Sequence, residues 1–257
     1  MKRHNPDLLS TLQTNLPTYA KWQLTPEREP QTVAQGVTAS GAAVTVHPLQ
    51  AAMAAETLIE AHRELRGFVY DNPSVRRVRR VLEFSNFSGY VVAESAGESL
   101  LKIIEPGPIY WEDAVWMANR IGDVLSSAHD QGVFHGQLTA NQIHLSSDHA
   151  PILSGFELAH AIRSSNDSSI STAEGKRLDI QALGLLLHAM VCGSVTAGQP
   201  GASSPDRMYD GLPDAVVASL AAALGNSQRR FKDVSSFLRA LEGSSSARIL
   251  LAPTGVD

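Results

Sequence analysis

Cysteine is almost absent from the sequence, which has Cys192 alone among its 257 residues. One cysteine excludes an internal disulfide and a metal site built from several thiolates. The thiol ends an apolar stretch that begins at Leu183. We expect a buried, unreactive side chain there, because a reactive thiol needs an electropositive and partly exposed setting.

Long uncharged apolar runs are also missing. A helix that crosses a bilayer needs about 20 consecutive apolar residues, and no stretch approaches that length. The N-terminus begins with Lys2 and Arg3, but Asn5 and Pro6 interrupt what would be the apolar part of a signal peptide. We therefore expect a cytoplasmic chain without a membrane span, either a whole protein or the soluble part of a larger one.

Positive charge is scarce as well. The formal net charge is −5, whereas nucleic-acid binding requires clustered lysine and arginine. The one basic run, residues 76–80, carries four arginines with Val78 between them. We interpret it as a solvated strand or helix edge rather than as an anion-binding patch. No nucleic-acid partner is therefore expected.

The glycine-rich phosphate-binding pattern G-x-G-x-x-G does not occur. Gly36 and Gly41 stand alone, and an isolated glycine usually marks a turn. Clustered metal ligands are not apparent either, since His129, His135 and His144 are irregularly spaced. We predict no metal site.

The predicted secondary structure changes from strands to helices near residue 95. Before that point the sequence predicts strands and turns over 32–49, a helix over 51–70, and strands over 75–84 and 88–94. After it, the predicted helices are 111–131, 178–192, one that opens at 212–214, and 234–241, with a polar loop over 164–171. We therefore divide the chain into an N-terminal segment (1–18), a first lobe (19–94), a second lobe (95–243) and a Ser-rich flexible tail (244–257).

One segment of the second lobe is specific. Residues 128–145 read Ala-His-Asp-Gln-Gly-Val-Phe-His-Gly-Gln-Leu-Thr-Ala-Asn-Gln-Ile-His-Leu. This resembles the protein-kinase catalytic loop, H-R-D-L-x-x-x-N-[IV]-x-L, with His135, Leu138, Ile143 and Leu145 aligned without gaps.

Three further segments follow in the order that protein kinases have. Gly155, Phe156 and Glu157 stand where kinases carry Asp-Phe-Gly. Asp179 resembles the aspartate that anchors the catalytic loop from below, and Arg230 the arginine of the kinase D-P-x-x-R segment.

The resemblance implies an α+β, bilobal protein-kinase-like fold. Its N-lobe would be a small antiparallel β-sheet with one helix, and its C-lobe larger and mostly helical. The activation segment would be reduced, since only 23 positions separate Phe156 from Asp179. The chain is similar to bacterial Ser/Thr-kinase-like pseudokinases, including the pseudokinase domain of actinobacterial peptidoglycan lipid-flippase proteins.

Phosphoryl transfer needs a lysine on the phosphates, a base and metal ligands. In the resemblance, His47 takes the place of the lysine and Gln137 that of the base. Gln142 and Gly155 take the places of the two metal ligands. Imidazole is mostly neutral at pH 7, an amide cannot accept the proton, and glycine offers no oxygen.

Several residues could offset these losses. Glu157 could supply a displaced carboxylate, a one-residue slip could bring in Asn141, and Asp148 could serve an atypical transferase. The glutamate that pairs with the lysine in kinases would be Glu60 or Glu64, and the spacing to the next apolar residues favours Glu64.

Other matching positions are structural in the resemblance, namely His135, Asp179 and Arg230, and we expect an ion pair between Glu174 and Arg230. The residues that would line an interlobe cleft are Ala93, Glu94 and Ala96, with Ala93 leaving the back of the cleft open.

The sequence therefore predicts a pseudokinase that binds a protein as a regulator or scaffold, with a phospho-reading domain or an active kinase as partner. Phosphorylation of the Ser/Thr-rich stretch 164–172 would switch it, unless that stretch is a merely solvated loop. A nucleotide or small-molecule sensor and an atypical kinase or nucleotidyl transferase are the alternatives. No cofactor is expected, and any binding of ATP would be weak or independent of metal.

Overall fold

The computed structural model describes residues 6–26, 32–41, 43–49, 54–84, 87–93, 98–165, 170–193, 209, 211–225 and 230–242. The chain divides into two compact units. Unit 1 contains residues 1–96 and 154–170, and unit 2 contains residues 97–153 and 171–257.

Strands predominate in the first third of the chain and helices in the remainder. In chain order the elements of the described residues are α1 (Pro6–Asn15), β1 (Tyr19–Pro26), β2 (Thr32–Thr38), β3 (Ala43–Pro48), α2 (Ala55–Glu64), α3 (Arg66–Asp71), β4 (Val75–Arg76), β5 (Val78–Phe84), β6 (Phe87–Ala93), α4 (Leu100–Ile104), α5 (Trp111–Asp130), β7 (Ile143–Leu145), β8 (Pro151–Ser154), α6 (Phe156–Ser165), α7 (Thr172–Cys192), α8 (Asp214–Ala223) and α9 (Val234–Glu242). A short 3-10 helix, Ala140–Gln142, precedes β7.

Unit 1 is built on a five-stranded antiparallel sheet in the order β1-β2-β3-β6-β5. Leu12 of helix α1 and Leu16, which follows the helix, cover one face and pack with Val44 and Val46 of β3. These two valines share a face because successive side chains of a strand point to opposite sides. Gly36 makes room for Trp22 on this face, since a Cβ there would lie 2.7 Å from the indole ring.

The opposite face of the sheet is covered by helices α2 and α6. Leu58 and Ala61 of α2 pack there with Val78 of β5 and Ala161 of α6, and Tyr90 of β6 packs against this cluster. Burial on both faces gives unit 1 a layered core of a sheet between helices.

Unit 2 consists mainly of helices whose close approach depends on small residues. A Cβ added to Gly122 of α5 would lie 2.6 Å from the Leu238 side chain of α9, and one added to Gly184 of α7 would lie 2.7 Å from Ala223 of α8. Helix α7 ends at Cys192 and is capped by Gly193, whose φ of +66° favours glycine. Strands β7 and β8 form an antiparallel pair.

The prediction of an α+β fold with an antiparallel sheet and a helical part is confirmed. Some details of the sequence analysis need correction. Unit 1 has more than one helix, and residues 154–170 belong to it rather than to the second lobe. Within the predicted N-terminal segment 1–18, helix α1 contributes Leu12 to the core of the sheet.

The polar loop predicted over 164–171 is shorter than expected. Helix α6 continues to Ser165, and α7 begins at Thr172 instead of residue 178. The early start has a local cause, since the Ser171 side chain accepts a hydrogen bond from the backbone N–H of Glu174 and so caps the helix. The tail predicted at 244–257 lies outside the described residues.

Two further expectations concern membrane spans and the cysteine. None of the helices among the described residues has the length and apolarity required to traverse a bilayer. The Cys192 thiol is half-buried rather than buried, and its burial raises its pKa above the ordinary value, which disfavours the reactive thiolate.

Helix α1 gives a first test. Leu12 is fully buried against the sheet, so we expect Leu12→Ala to lower the free energy of unfolding by about 2–5 kcal/mol. The matched control is Gln13→Ala, which changes an exposed residue of the same helix. Thermal unfolding of both variants measures the difference, and equal midpoints would show that α1 is not part of the core.

Candidate functional site

The candidate residues fall into two groups, one in each unit, and each group has its own geometry. In unit 2 the central residue is Asp179, a fully buried carboxylate in helix α7. Its Oδ2 accepts hydrogen bonds from the backbone N–H of His135 and from Nε2 of His129, each at 2.9 Å, and its Oδ1 accepts one from the backbone N–H of Gly136 at 2.5 Å. The carboxylate thus fixes the backbone of the kinase-like loop.

His135 itself is fully buried beside this carboxylate. Its Nδ1 accepts a hydrogen bond from the backbone N–H of Gln137 at 3.3 Å, so a neutral ring carries its proton on Nε2. The histidine therefore stabilises the turn of the loop. The Gln137 side chain, at the position of the base in the resemblance, is exposed.

Gln142, aligned with a metal ligand, supports the loop backbone. Its Oε1 accepts hydrogen bonds from the backbone N–H of Thr139 at 2.8 Å and from the Thr139 hydroxyl at 3.1 Å. These bonds belong to a capping box, in which the first and last residues of a helical turn satisfy each other's polar groups. The amide oxygen is thus already hydrogen-bonded within the loop.

In unit 1, Gly155 precedes helix α6 with a φ of +95°, a conformation that favours glycine. The carbonyl of Gly155 accepts the backbone N–H of Ala159 at 2.8 Å and so begins the helix directly. At the metal-binding aspartate position of the resemblance, the chain therefore has a helix start and no side chain.

Glu157 follows in the first turn of α6 and is fully buried. Its Oε1 accepts a hydrogen bond from the backbone N–H of Val78 at 2.9 Å and lies 3.3 Å from Nδ1 of His62 on α2. Its Oε2 is buried and has no hydrogen-bond partner among the described residues. The carboxylate that could have replaced the missing aspartate instead joins α6 to the sheet.

His47, at the lysine position, lies on β3 opposite Tyr90 of β6. The two rings stack with centroids 5.2 Å apart and an interplanar angle of 15°. Burial, with a smaller contribution from the Arg76 charge, lowers the pKa of His47 from 6.5 to about 4. The imidazole is therefore uncharged at pH 7.

The glutamate predicted to pair with the lysine position has a different partner. Glu64 of α2 bonds to Nε2 of His160 on α6 at 2.5 Å, while Glu60 pairs with Arg63 on its own helix. Both carboxylates are about half exposed. Glu64 therefore contributes to the contact between α2 and α6.

The remaining predicted residues divide between described and undescribed positions. Ala93 ends β6, where its backbone pairs with Val44 of β3, but its side chain and the residues Glu94 and Ala96 lie outside the described part of the structure. The open cleft predicted behind Ala93 therefore stays a prediction.

The predicted ion pair between Glu174 and Arg230 needs correction. Glu174 instead forms a two-bond pair with Arg177, three residues further along α7, at 2.9 and 2.6 Å. Arg230 donates to the carbonyl of Gly225 at 3.3 Å. The first helical turn of α7 therefore satisfies its glutamate locally.

The sequence analysis missed two contributors to these sites. His62 contacts Glu157, and Arg76 contributes to the low pKa of His47. Neither residue lies in a kinase motif, so only the spacing of His62 on the inner side of α2 could have suggested its role. Within the described ranges, no group of three or more His, Cys, Asp or Glu side chains is arranged to hold a metal ion.

The Asp179 contacts predict a large stability effect. We expect Asp179→Ala to lower the free energy of unfolding by at least about 3 kcal/mol, because two backbone N–H groups and the His129 ring would lose a buried acceptor. Asp130→Ala, which removes an exposed carboxylate, is the control. Urea unfolding measures both, and similar losses would contradict the anchoring role.

The pKa of His47 predicts a pH dependence. Between pH 6.5 and about 4 the unfolded chain binds a proton at this residue and the folded chain does not, so the residue's contribution to stability is lost as the pH falls. His47→Phe keeps an aromatic stack and removes the titration. Between pH 7 and pH 4 the free energy of unfolding of the unmodified chain should fall by about 3 kcal/mol more than that of the variant. Urea unfolding at several pH values measures both, and parallel plots of unfolding free energy against pH would contradict this.

No protein-family model and no curated protein matches the sequence. Among solved structures, the chain is similar to a crystal structure of the kinase domain of Mycobacterium tuberculosis PknI, with a TM-score of 0.63 and 17% sequence identity. The similarity covers 88% of this chain and 96% of that one. At this sequence identity, the structural similarity establishes the fold and nothing more. The chain has a protein-kinase-like fold.

Proposed function

We propose that this kinase-like chain is catalytically inactive and acts as a regulatory or scaffolding module that binds a protein. The observation that carries the proposal is the position of Glu157. This carboxylate follows Gly155 and is fully buried, with Oε1 accepting the backbone N–H of Val78. A carboxylate that holds a helix to a sheet in this way is a poor substitute for an open metal ligand.

The second metal position supports the same conclusion. Mg²⁺ in kinases is held by the aspartate of Asp-Phe-Gly and the asparagine of the catalytic loop. In this chain Gly155 has no side chain, and the amide oxygen of Gln142 already accepts two hydrogen bonds from Thr139. Binding a cation there would require the loop to lose its capping box.

Groups that contact phosphate in kinases are replaced as well. The uncharged His47 cannot provide the electrostatic attraction of a lysine at pH 7. The connection between β1 and β2 precedes the His47 strand, as the Gly-rich loop does in kinases. Its sequence over residues 27–31, Glu-Arg-Glu-Pro-Gln, has no glycine and places two negative charges beside one positive charge.

The sheet face that carries His47 is also occupied. Leu158 and Ile162 of α6 pack against the same buried cluster as Tyr90, the stacking partner of His47. This packing favours the protein-binding proposal over a ligand sensor that would use the same face.

The positions that keep a kinase-like structure are those that hold the chain together. Asp179 and His135 support the loop although Gln137 offers no base. A folded surface retained without its chemistry is suited to recognition by a partner, such as a phospho-reading domain or an active kinase.

A thermal-shift titration with ATP, in EDTA and with Mg²⁺ or Mn²⁺, tests this proposal. A ligand present at 100 times its Kd would add about 2.7 kcal/mol of apparent stability. We expect no shift under any of these conditions, because the lysine, metal and base positions lack the required groups.

Labelled-phosphate incorporation provides the second measurement. Glu157→Ala tests the one displaced carboxylate, and Glu83→Ala, an exposed carboxylate on β5, is the matched control. A metal-dependent ATP shift, or phosphate transfer that Glu157→Ala abolishes and Glu83→Ala leaves intact, would overturn the proposal.

A further inference from the structure

An exposed aromatic ring with two arginines over it lies on unit 1. Tyr70, in helix α3, is 47% exposed. The guanidinium carbon of Arg77 lies 4.0 Å from the centre of its ring and that of Arg66 lies 5.6 Å from it. We call Arg66, Tyr70 and Arg77 the Tyr70 cluster.

Exposure of the ring distinguishes this cluster from a core contact. Among the described residues, the large hydrophobic side chains that are exposed are Ile59, Tyr70, Tyr110 and Leu185. A cation–π contact at an exposed site contributes only about 0.5–1 kcal/mol. This is a small stabilisation for an aromatic ring that remains in contact with water. Tyrosine and arginine are, in contrast, two of the residue types that dominate the centres of protein interfaces.

The charges of the cluster are not neutralised. Arg66 and Arg77 form no ion pair with another described residue, whereas Arg63 and Arg177 each pair with a glutamate. Between residues 66 and 80 five arginines accompany a single aspartate, so this stretch carries +4 in a chain whose formal net charge is −5. An anionic group would therefore be drawn to this part of unit 1.

We propose that the Tyr70 cluster is a docking site for an acidic segment of a partner protein. Planar guanidinium groups pair with carboxylates through two parallel hydrogen bonds, and the tyrosine ring offers apolar contact and one hydroxyl. This inference rests on the proposed function, because it names the surface and the class of partner through which a non-catalytic module acts.

The same features disfavour other anionic partners. Membrane-binding polybasic segments use clusters of 4–8 lysines or arginines, whereas two of the five arginines between residues 66 and 80 lie over the Tyr70 ring. Neighbouring arginines of the basic run also have different surroundings, since the Arg76 charge contributes to the low pKa of His47 while Arg77 lies over the Tyr70 ring. The negative charge elsewhere on the chain would repel a long phosphate backbone.

Fluorescence anisotropy with the full chain and a labelled glutamate-rich peptide tests the proposal. We expect binding that weakens with added salt, and a loss of affinity of at least about tenfold in Arg66→Glu/Arg77→Glu. Arg120→Glu is the matched control, because Arg120 lies over the Trp116 ring at 5.7 Å in unit 2 and carries the same charge. Its affinity should stay unchanged.

Tyr70 separates ring contact from charge alone. Tyr70→Phe should keep most of the affinity, and Tyr70→Ala should lose several-fold. Circular dichroism monitors folding, and the corresponding glutamine variants replace the glutamate variants if those do not fold. No binding by the unmodified chain, or equal losses in the Tyr70 cluster and Arg120 variants, would overturn the proposal.

Three further probes distinguish the partner class. Tighter binding of a phosphoserine peptide of matched sequence, of single-stranded DNA or of vesicles with anionic lipid would each overturn the assignment to an acidic protein segment. Failure of the docking site is separable from failure of the proposed function. If the chain shows no ATP shift and does not bind the peptide, only the docking site is contradicted. If it binds both the peptide and metal-dependent ATP, only the proposed inactivity is contradicted.

Discussion

The conformation of the loop in unit 2 depends on one fully buried carboxylate. Asp179 is fully buried, and its two oxygens together accept two backbone N–H groups and one imidazole nitrogen. Burying a charge is costly unless hydrogen bonds compensate for the lost hydration, and three donors do so in this unit. Because two of these donors are backbone groups of His135 and Gly136, the carboxylate determines the path of the loop itself. The loop's shape is thus independent of whether its side chains can perform chemistry.

Unit 1 repeats this physical arrangement at a different place. Glu157 is also fully buried and also accepts a backbone N–H, that of Val78. Its contact with His62 and the neighbouring pair between Glu64 and His160 join α6 to α2 by two polar links. Glu157, two residues after Gly155, is therefore part of the packing of helix α6.

Much of the fold could be predicted because it depends on local pattern. Alternation around Val44 and Val46 predicted β3, and the apolar spacing along 111–131 predicted α5. The motif around His135 predicted the loop that Asp179 holds. The failures have physical causes. Helix α1 was missed although Leu9, Leu12 and Leu16 have helical spacing, because the segment is short and polar around them.

Helix α6 was missed because the resemblance suggested an activation segment there, against the local spacing of Leu158, Ala161 and Ile162. No sequence rule could pair Glu157 with Val78, 79 residues away, since only the folded chain brings them together.

The capping box at Gln142 has a consequence for any partner that binds this loop. Glutamine is one methylene longer than asparagine, and Oε1 of Gln142 reaches both the N–H and the hydroxyl of Thr139. The turn is therefore ordered by hydrogen bonds within the loop, and no cation is needed to order it. A partner would meet a preorganised surface, so little conformational entropy would be lost on association.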